Sequence, residues 1–378
     1  MSLLPHVISR ASGRAALCWR RAPGVASVRA LSMANKAGGA GKPDMALIKE
    51  LREASGAPVV DCKNALAAEG VNGDIAQAFQ WLRKRGIAKA TSMADRSANE
   101  GMLFAPLYLG YHRLIGLRVE GPHGALVEVN SETDFVARNA KFQEFVQKAL
   151  DIALEKAKAA AGGTEVPASR ELDVSGLLRE DHPGSGELLA DTLAQLVGAI
   201  RENITISRAH VVSLGGDGKG VVAGYVHGAT GLPGMGKNAA LVALKLDTTA
   251  AGEDTATTET LDASAKSLAM HVVAARPAFL DESSAPEAAL EKEKKLLLEQ
   301  AEESGKDPKV LGKMVEGRLR KYLETNALTR QAHMVAEGNP RVADHLTSLG
   351  EEVGGTVTLE GFARLAVGER EPAPSSSD

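Results

Sequence analysis

The spacing of apolar and polar residues divides the chain into stretches with the period of helices and stretches with the period of strands. Apolar residues at helical spacing predict three short helices between residues 44 and 90, with a stop at Ser55-Gly56 and an N-cap at Asp74. Alternating or β-branched runs predict strands at 101–104, 111–119, 125–130, 202–208, 220–227, 239–246 and 357–367. Further helices are predicted at 188–200 and 263–275, whereas residues 159–185 have no firm period and are expected to form a long loop.

This order of elements predicts an α+β protein. A small three-helix domain precedes a core of two related α+β lobes with antiparallel sheets, since strand, strand and helix follow one another in both halves. Two charged helices on either side of Gly305-Lys306-Asp307-Pro308 predict an antiparallel coiled-coil hairpin. The predicted segments are a transit peptide at 1–43, the three-helix domain at 44–90, the first lobe at 91–210, the second lobe at 211–282 and 328–368, the hairpin at 283–327 and a disordered tail at 369–378.

The first 43 residues differ in composition from the rest of the chain. They contain seven Lys and Arg residues, many Ser and Ala residues, and neither Asp nor Glu. That composition is typical of a mitochondrial or plastid transit peptide, with a disordered basic tail as the alternative. Without this segment only Cys62 remains, and a lone thiol fits a reducing compartment. We therefore expect the mature protein in an organelle matrix, mitochondrial rather than plastid.

Removal of the leader also changes the charge. The whole chain has 44 basic and 48 acidic residues, and without the seven basic residues of the leader 37 remain against 48. A protein that acidic is not expected to bind nucleic acid through a general basic surface. The sequence also lacks an apolar stretch long enough for a transmembrane helix. Direct nucleic-acid partners and membrane insertion are therefore not expected.

A strand-to-helix corner at Ser131–Asn139 carries a carboxylate and an aromatic ring next to each other. The strand at 125–130 precedes it, and a helix with an apolar face follows. Either Asp134 or Asn139 could cap that helix, because both side chains accept hydrogen bonds from free backbone N–H groups. Phe135 lies at the turn itself, where its ring either packs beneath the core or is exposed to a partner. The neighbouring residues leave both positions open.

These residues carry a resemblance to a known family. Asn130 to Phe142, with Thr133-Asp134-Phe135-Val136 at its centre, resembles the signature loop of the elongation factor Ts family. Its members are nucleotide exchange factors for the translational GTPase elongation factor Tu. The first module, with Asp61-Cys62-Lys63, is similar to the ubiquitin-associated-type (UBA-like) domain of that family. Met314-Val315-Glu316-Gly317-Arg318 resembles the coiled-coil insertion of its bacterial-type members. With the leader, the resemblance indicates an organellar, mitochondrial-type member that retains a bacterial-like hairpin.

The resemblance implies an exchange factor that performs no covalent chemistry and needs no cofactor or metal. The corner would enter the GTPase domain of elongation factor Tu near the magnesium and phosphate site and so weaken GDP binding. The hairpin could mediate self-association or contact the partner. The partner-binding residues implied by residue matching are Thr133, Asp134, Phe135 and Val136 in the corner, Val59 and Val60 in the N-terminal module, and His227, Gln331, Met334 and Val335 in the second lobe.

Two parts of the sequence suggest other functions. The first module alone could make the chain a ubiquitin-like binding adaptor, although a transit peptide counts against that function. Gly231–Lys237 has the glycine and lysine spacing of a phosphate-binding P-loop, but Asn238 follows where Ser or Thr is expected. The segment after it is a predicted strand, whereas a P-loop requires a helix N-terminus facing the phosphates. We therefore expect a hairpin loop there. The sequence suggests no Cys/His cluster with metal-ligand spacing and no Ser/His/Asp set.

Overall fold

A computed structural model describes the part of the chain from Pro43 to Glu369, with gaps. The described residues are 43–86, 112–160, 168–215, 219–229, 232–248, 255–288, 290–291, 293–295 and 308–369. Several predicted features lie outside them, namely the transit peptide, the strand at 101–104, the turn of the hairpin at 305–307, Gly231 and the tail beyond Glu369.

Three helices form the N-terminal module, as the sequence predicts. They are α1 (Met45–Ser55), α2 (Val59–Leu66) and α3 (75–86). Gly56 ends α1 with φ 69°, a left-handed conformation that glycine adopts without strain. The predicted cap at Asp74 is confirmed, since its Oδ1 accepts a hydrogen bond from Gln77 N at 3.0 Å. The buried core of the module is small and consists of Ile48, Leu51, Cys62, Ala65, Leu66, Val71 and Ala78.

The first lobe is built on a five-stranded antiparallel sheet. Its strands are β1 (His112–Glu120), β2 (His123–Ser131), β3 (Ser169–Leu172), β4 (Thr205–Ser213) and β6 (Met235–Gly236), in the order β3-β4-β2-β1-β6. The long helix α5 (Ala140–Ala160) covers one face of this sheet, with Phe142 and Phe145 fully buried against it. Gly116 of β1 permits the close approach, because a Cβ there would lie 2.6 Å from Val146 Cγ1.

The second lobe is a three-stranded antiparallel sheet with the order β5-β7-β8. Its strands are β5 (Gly220–His227), β7 (Asn238–Asp247) and β8 (Thr356–Ala366), and helices α8 (Thr255–Ala275) and α11 (Val342–Val353) pack on it. The opposite face of this sheet packs against the first sheet through Ile115, Leu126 and Leu241. The two lobes therefore share one apolar interface between their sheets.

Some elements depart from the sequence expectations. The stretch at 159–185 is not a single irregular loop, because its described part contains β3 and the short helix α6 (Val174–Leu178). Asp173 caps α6 by accepting from Ser175 N and Gly176 N. Both elements are too short to produce a clear period in the sequence. Helix α8 also begins eight residues before the predicted start, and α11 was not predicted.

The remaining helical elements lie between these strands and helices in the chain. They are α4 (Asp134–Ala137), α7 (Leu189–Ile200), the helical residues 287–288, 290–291 and 293–295 (α9), α10 (Pro308–Asn326) and the 3-10 turn at Leu328–Arg330. Helices α9 and α10 flank the predicted turn, whose residues 305–307 lie outside the described part. The antiparallel hairpin therefore stays a prediction.

Candidate functional site

The corner after β2 consists of two consecutive helices rather than one. Strand β2 ends at Ser131, the four-residue helix α4 follows, and α5 begins at Ala140. Asn139 caps α5, since its Oδ1 accepts a hydrogen bond from Lys141 N at 2.9 Å. Asp134, the other predicted cap, lies in the first turn of α4 and leaves its carboxylate exposed. The bend between the two helices separates the residues of α4 from the buried face of α5.

Contacts of three residues fix the corner to the first lobe. Thr133 donates twice to Glu202, from its backbone N to Oε2 at 2.9 Å and from Oγ1 to Oε1 at 2.7 Å. Ser131 Oγ donates to the backbone oxygen of Thr133 at 3.1 Å. Val136 is 4 % exposed and belongs to the core beneath α5. Because polar bonds hold one end of α4 and an apolar anchor holds the middle, the corner has a defined position on the lobe.

Phe135 is exposed to solvent. Its side chain is 77 % exposed, although it directly precedes buried Val136. The sequence left open whether the ring packs beneath the core or is exposed, and in the structure it is exposed. A ring on a fixed loop has little backbone freedom left to lose, so less conformational entropy opposes its insertion into a partner.

Val59 and Val60 are exposed at the start of α2. Val59 is 42 % and Val60 is 63 % exposed, and both follow the Gly56–Pro58 turn of the N-terminal module. Their side chains can therefore be reached by another protein. Their predicted role as contact residues stays a prediction.

In the second lobe, three of the four predicted contact residues lie at the surface. His227 is exposed at the end of β5, and Met334 and Val335 are 59 % and 46 % exposed. Gln331 is 6 % exposed, its Oε1 lies 2.9 Å from His271 Nε2, and its Nε2 donates to Thr325 O at 2.6 Å. Gln331 therefore lies beneath this surface, and a direct contact with a partner would require the loop to open.

Two buried histidines hold the loop that carries Met334 and Val335. His271 Nδ1 accepts from Met334 N at 3.2 Å, and His333 Nδ1 accepts from Val335 N at 3.2 Å and from Ala336 N at 3.1 Å. Burial lowers the pKa of His271 below its ordinary value, and burial with charge repulsion from neighbouring histidines lowers the pKa of His333 to about 4. Both rings are therefore neutral acceptors near neutral pH. Sequence reasoning missed the His271 contact, because Met334 is 63 positions away in the chain.

The glycine-rich segment is a structural turn. Met235–Gly236 forms β6 and pairs with β1, and β7 follows directly, so the segment does not lead into a helix. Gly234 has φ 76°, and a Cβ there would lie 2.7 Å from Leu117 O. These glycines are required by the turn and by the close approach to β1. The arrangement lacks the helix N-terminus on which a P-loop depends.

Two kinds of feature are absent from the part of the chain that the structure describes. Within it, no group of three or more His, Cys, Asp and Glu side chains has the geometry to hold a metal ion. Among the helices of the same part of the chain, none combines the length and the apolar composition that a bilayer crossing requires.

Comparison with known proteins gives a consistent result. Residues 132–369 match the family model described as Elongation factor TS. Elongation factor Ts of Paramagnetospirillum magneticum is 41 % identical over 323 residues, which cover 85 % of this chain and 90 % of that protein. The Rhodospirillum centenum protein of the same name is 39 % identical and the Rhizobium meliloti one 38 % identical, each over 324 residues that cover 86 % of this chain and 92 % of the relative.

Proposed function

The chain belongs to the elongation factor Ts family and is a nucleotide exchange factor for elongation factor Tu, and from this premise we propose that Phe135 is the group that disturbs the nucleotide site. The observation that carries the proposal is the 77 % exposure of Phe135 on a corner held by Glu202 and Val136. The factor is not an enzyme and acts by binding alone.

The proposed mechanism is a linkage between two binding events. GDP is held in a GTPase largely through magnesium and phosphate contacts. A partner that binds the disturbed, emptied site more tightly than the GDP-bound site must weaken GDP binding by the same coupling free energy. The rigid Phe135 ring would supply the steric part of that disturbance. Asp134 would help to position the loop, and its carboxylate would disfavour the arrangement of charges around the magnesium ion and the phosphates.

Two further surfaces would contact the same partner. Val59 and Val60 would bind the GTPase domain from the N-terminal module. His227, Met334 and Val335 would contact a more distant domain of elongation factor Tu. Their support is exposure in the structure, and Gln331 would act from below by holding the Met334 loop. The N-terminal helices would form a UBA-like domain, and α9 and α10 the two arms of a coiled-coil hairpin.

We place the mature protein in the mitochondrial matrix, with its partner the elongation factor Tu of that organelle. The support is the acid-free, Arg-rich composition of residues 1–43. The test is a fusion of these residues to a fluorescent reporter, viewed together with mitochondrial and plastid markers. Reporter fluorescence confined to mitochondria supports the proposal. Diffuse or plastid fluorescence would overturn it.

The exchange mechanism is tested by the release of fluorescent GDP from elongation factor Tu. The wild-type chain should accelerate release, and Phe135→Ala should lose most of that acceleration while its thermal melt stays unchanged. Met270→Ala is a matched control, because Met270 is also an exposed large apolar residue, on α8. Equal acceleration by wild type and Phe135→Ala would remove the ring from the mechanism.

A further inference from the structure

The turn that ends α7 connects two surfaces that are far apart in the sequence. Arg201 follows α7 with φ 68°, a left-handed conformation that is unusual for a residue with a side chain. Its NH2 donates to Asp61 Oδ2 at 2.8 Å, in the N-terminal module. The next residue, Glu202, holds Thr133 in the corner. Adjacent side chains of one turn therefore reach the module on one side and the corner on the other.

Each of these contacts lies close in sequence to a residue that, in the proposed function, binds elongation factor Tu. Asp61 directly follows Val60, and Thr133 precedes Phe135 by two positions. The corner and the turn are joined a second time, because Asn203 N donates to Glu132 Oε1 at 3.2 Å. The exposed valines and the exposed ring are thus linked through a short series of direct bonds.

Other contacts bring the module and the first lobe together. Lys141, in the first turn of α5, donates from Nζ to Ser55 O at 3.4 Å beside the Gly56 turn. Arg83 of α3 forms an ion pair with Asp191 of α7. The backbones of α3 and α7 pack closely against each other, since a Cβ on Gly198 would lie 3.4 Å from the Cα of Gly86.

We propose that the Arg201–Glu202 turn is a positioning element that holds the Val59–Val60 surface and the Phe135 corner in one fixed arrangement for simultaneous binding to elongation factor Tu. The proposal rests on the proposed function of both surfaces. When two contact surfaces are rigidly joined, binding of the first places the second at a high effective concentration. Less conformational entropy is then lost when the ring enters the nucleotide site. The two residues would have separable roles, Arg201 in affinity and Glu202 in the maximal exchange rate.

Four variants separate these roles. Arg201→Gly removes the bond to Asp61, while glycine adopts the left-handed conformation at a helix end without strain. Asp61→Ala removes the same bond from the module side. Glu202→Ala removes both bonds to Thr133, and Glu202→Gln keeps one acceptor oxygen for a partial rescue. The matched control is Lys266→Ala, which removes an exposed ion pair with Asp262 on α8, within the second lobe.

The experiment uses the mature protein and elongation factor Tu loaded with fluorescent GDP. The release rate is measured over a range of factor concentrations to obtain the maximal rate and the half-saturating concentration. Arg201→Gly and Asp61→Ala should raise the half-saturating concentration about fivefold or more with little change in the maximal rate. Glu202→Ala should lower the maximal rate roughly tenfold, with Glu202→Gln between it and wild type. Lys266→Ala should match wild type in both parameters.

A second measurement does not depend on exchange. Backbone ¹⁵N relaxation should show residues 43–86 tumbling with the lobes in wild type and less tightly coupled to them in Arg201→Gly, where the Arg83–Asp191 and Lys141–Ser55 contacts remain. The exchanged pair Asp61→Arg with Arg201→Asp should restore common tumbling and the wild-type half-saturating concentration. If Arg201→Gly and Glu202→Ala behave like Lys266→Ala in both measurements, the positioning role is wrong. Failure of wild type to accelerate GDP release would instead overturn the proposed function, and the relaxation data would still report whether the turn joins the two parts.

Discussion

Phe135 and Val136 are adjacent in the chain, yet the ring of Phe135 is 77 % exposed and the side chain of Val136 is 4 % exposed. The short helix α4 produces this opposition by directing consecutive side chains to different sides of the corner. Val136 fastens the corner to the core and Phe135 remains available to a partner. Anchoring and exposure are thus divided between two neighbouring residues.

This division predicts opposite effects for two alanine substitutions. Phe135→Ala should change the free energy of unfolding by less than about 0.5 kcal/mol, because an exposed side chain contributes little to stability. Val136→Ala should lower it by about 2 kcal/mol, because two buried methyl groups are removed. Urea denaturation checks both values, with GDP release measured in parallel. A loss of about 3–5 kcal/mol in Phe135→Ala would mean that the ring is part of the core after all.

Glu128 is a fully buried carboxylate between two arginines of neighbouring strands. Arg113 NH1 lies 3.1 Å from Oε1, and Arg208 Nε donates to Oε2 at 2.8 Å. Glu128→Ala should cost about 3–5 kcal/mol in the free energy of unfolding, because it leaves both guanidinium groups without their buried carboxylate. Asp262→Ala, which breaks the exposed pair with Lys266, should cost less than about 1 kcal/mol. Chemical denaturation measures the free energy of unfolding of both variants. Equal losses would contradict the expectation that the buried ion pairs of Glu128 stabilise the fold more than the exposed pair does.

The buried histidines predict that stability decreases on mild acidification. The pKa of His333 is lowered from 6.5 to about 4 by burial, while the same residue in the unfolded chain takes up a proton near pH 6.5. Between these values the unfolded state binds more protons, so the free energy of unfolding falls as the pH decreases from about 6.5 towards 4. His271, also with a lowered pKa, adds to the same trend.

His333→Asn separates this titration from other acid effects. An asparagine oxygen can accept the Val335 and Ala336 N–H bonds but does not titrate, so the variant should lose less stability between pH 6.5 and 4.5 than wild type does. Urea denaturation at several pH values gives the comparison. The variant will start from a lower stability at neutral pH, since it removes part of a buried ring. An identical pH dependence in both proteins would show that His333 does not contribute.

The glycines of the turn before β7 are expected to serve the fold and not to bind a nucleotide. A Cβ on Gly236 would lie 2.5 Å from Val226 Cγ1 and 2.8 Å from His227 O, so Gly236→Ala should cost about 1–3 kcal/mol of stability. Lys237 is exposed, and Lys237→Ala should change stability by less than about 0.5 kcal/mol. Calorimetric titration of the chain alone with Mg·GDP should give no binding heat. Binding that disappears in Lys237→Ala would restore the phosphate-site interpretation.

Local interactions account for what could be predicted along the chain. The Asp74 and Asn139 caps bond to backbone groups two or three residues away, so their spacing is visible in the sequence. The long strands and helices were predicted because their apolar residues recur with the period of the element, and this period is also visible within a short stretch of sequence. β3 and α6 were missed because elements of four or five residues contain too few positions for a period.

The sequence by itself therefore determined the α+β class, the main elements and, through the Thr133–Val136 motif, the family and the corner that carries the proposed contact. Only the tertiary structure decided that Phe135 faces outward, that Gln331 is buried beneath the Met334 loop, and that Glu202 holds Thr133. The physical reason is distance along the chain. Glu202 and Thr133 are 69 positions apart, and the direction of a side chain depends on which distant element packs against it. The Glu202–Thr133 contact exists only once β2 and α7 have been brought together by folding, and the contact of Gln331 with His271 only once α8 lies beside the turn at Leu328–Arg330.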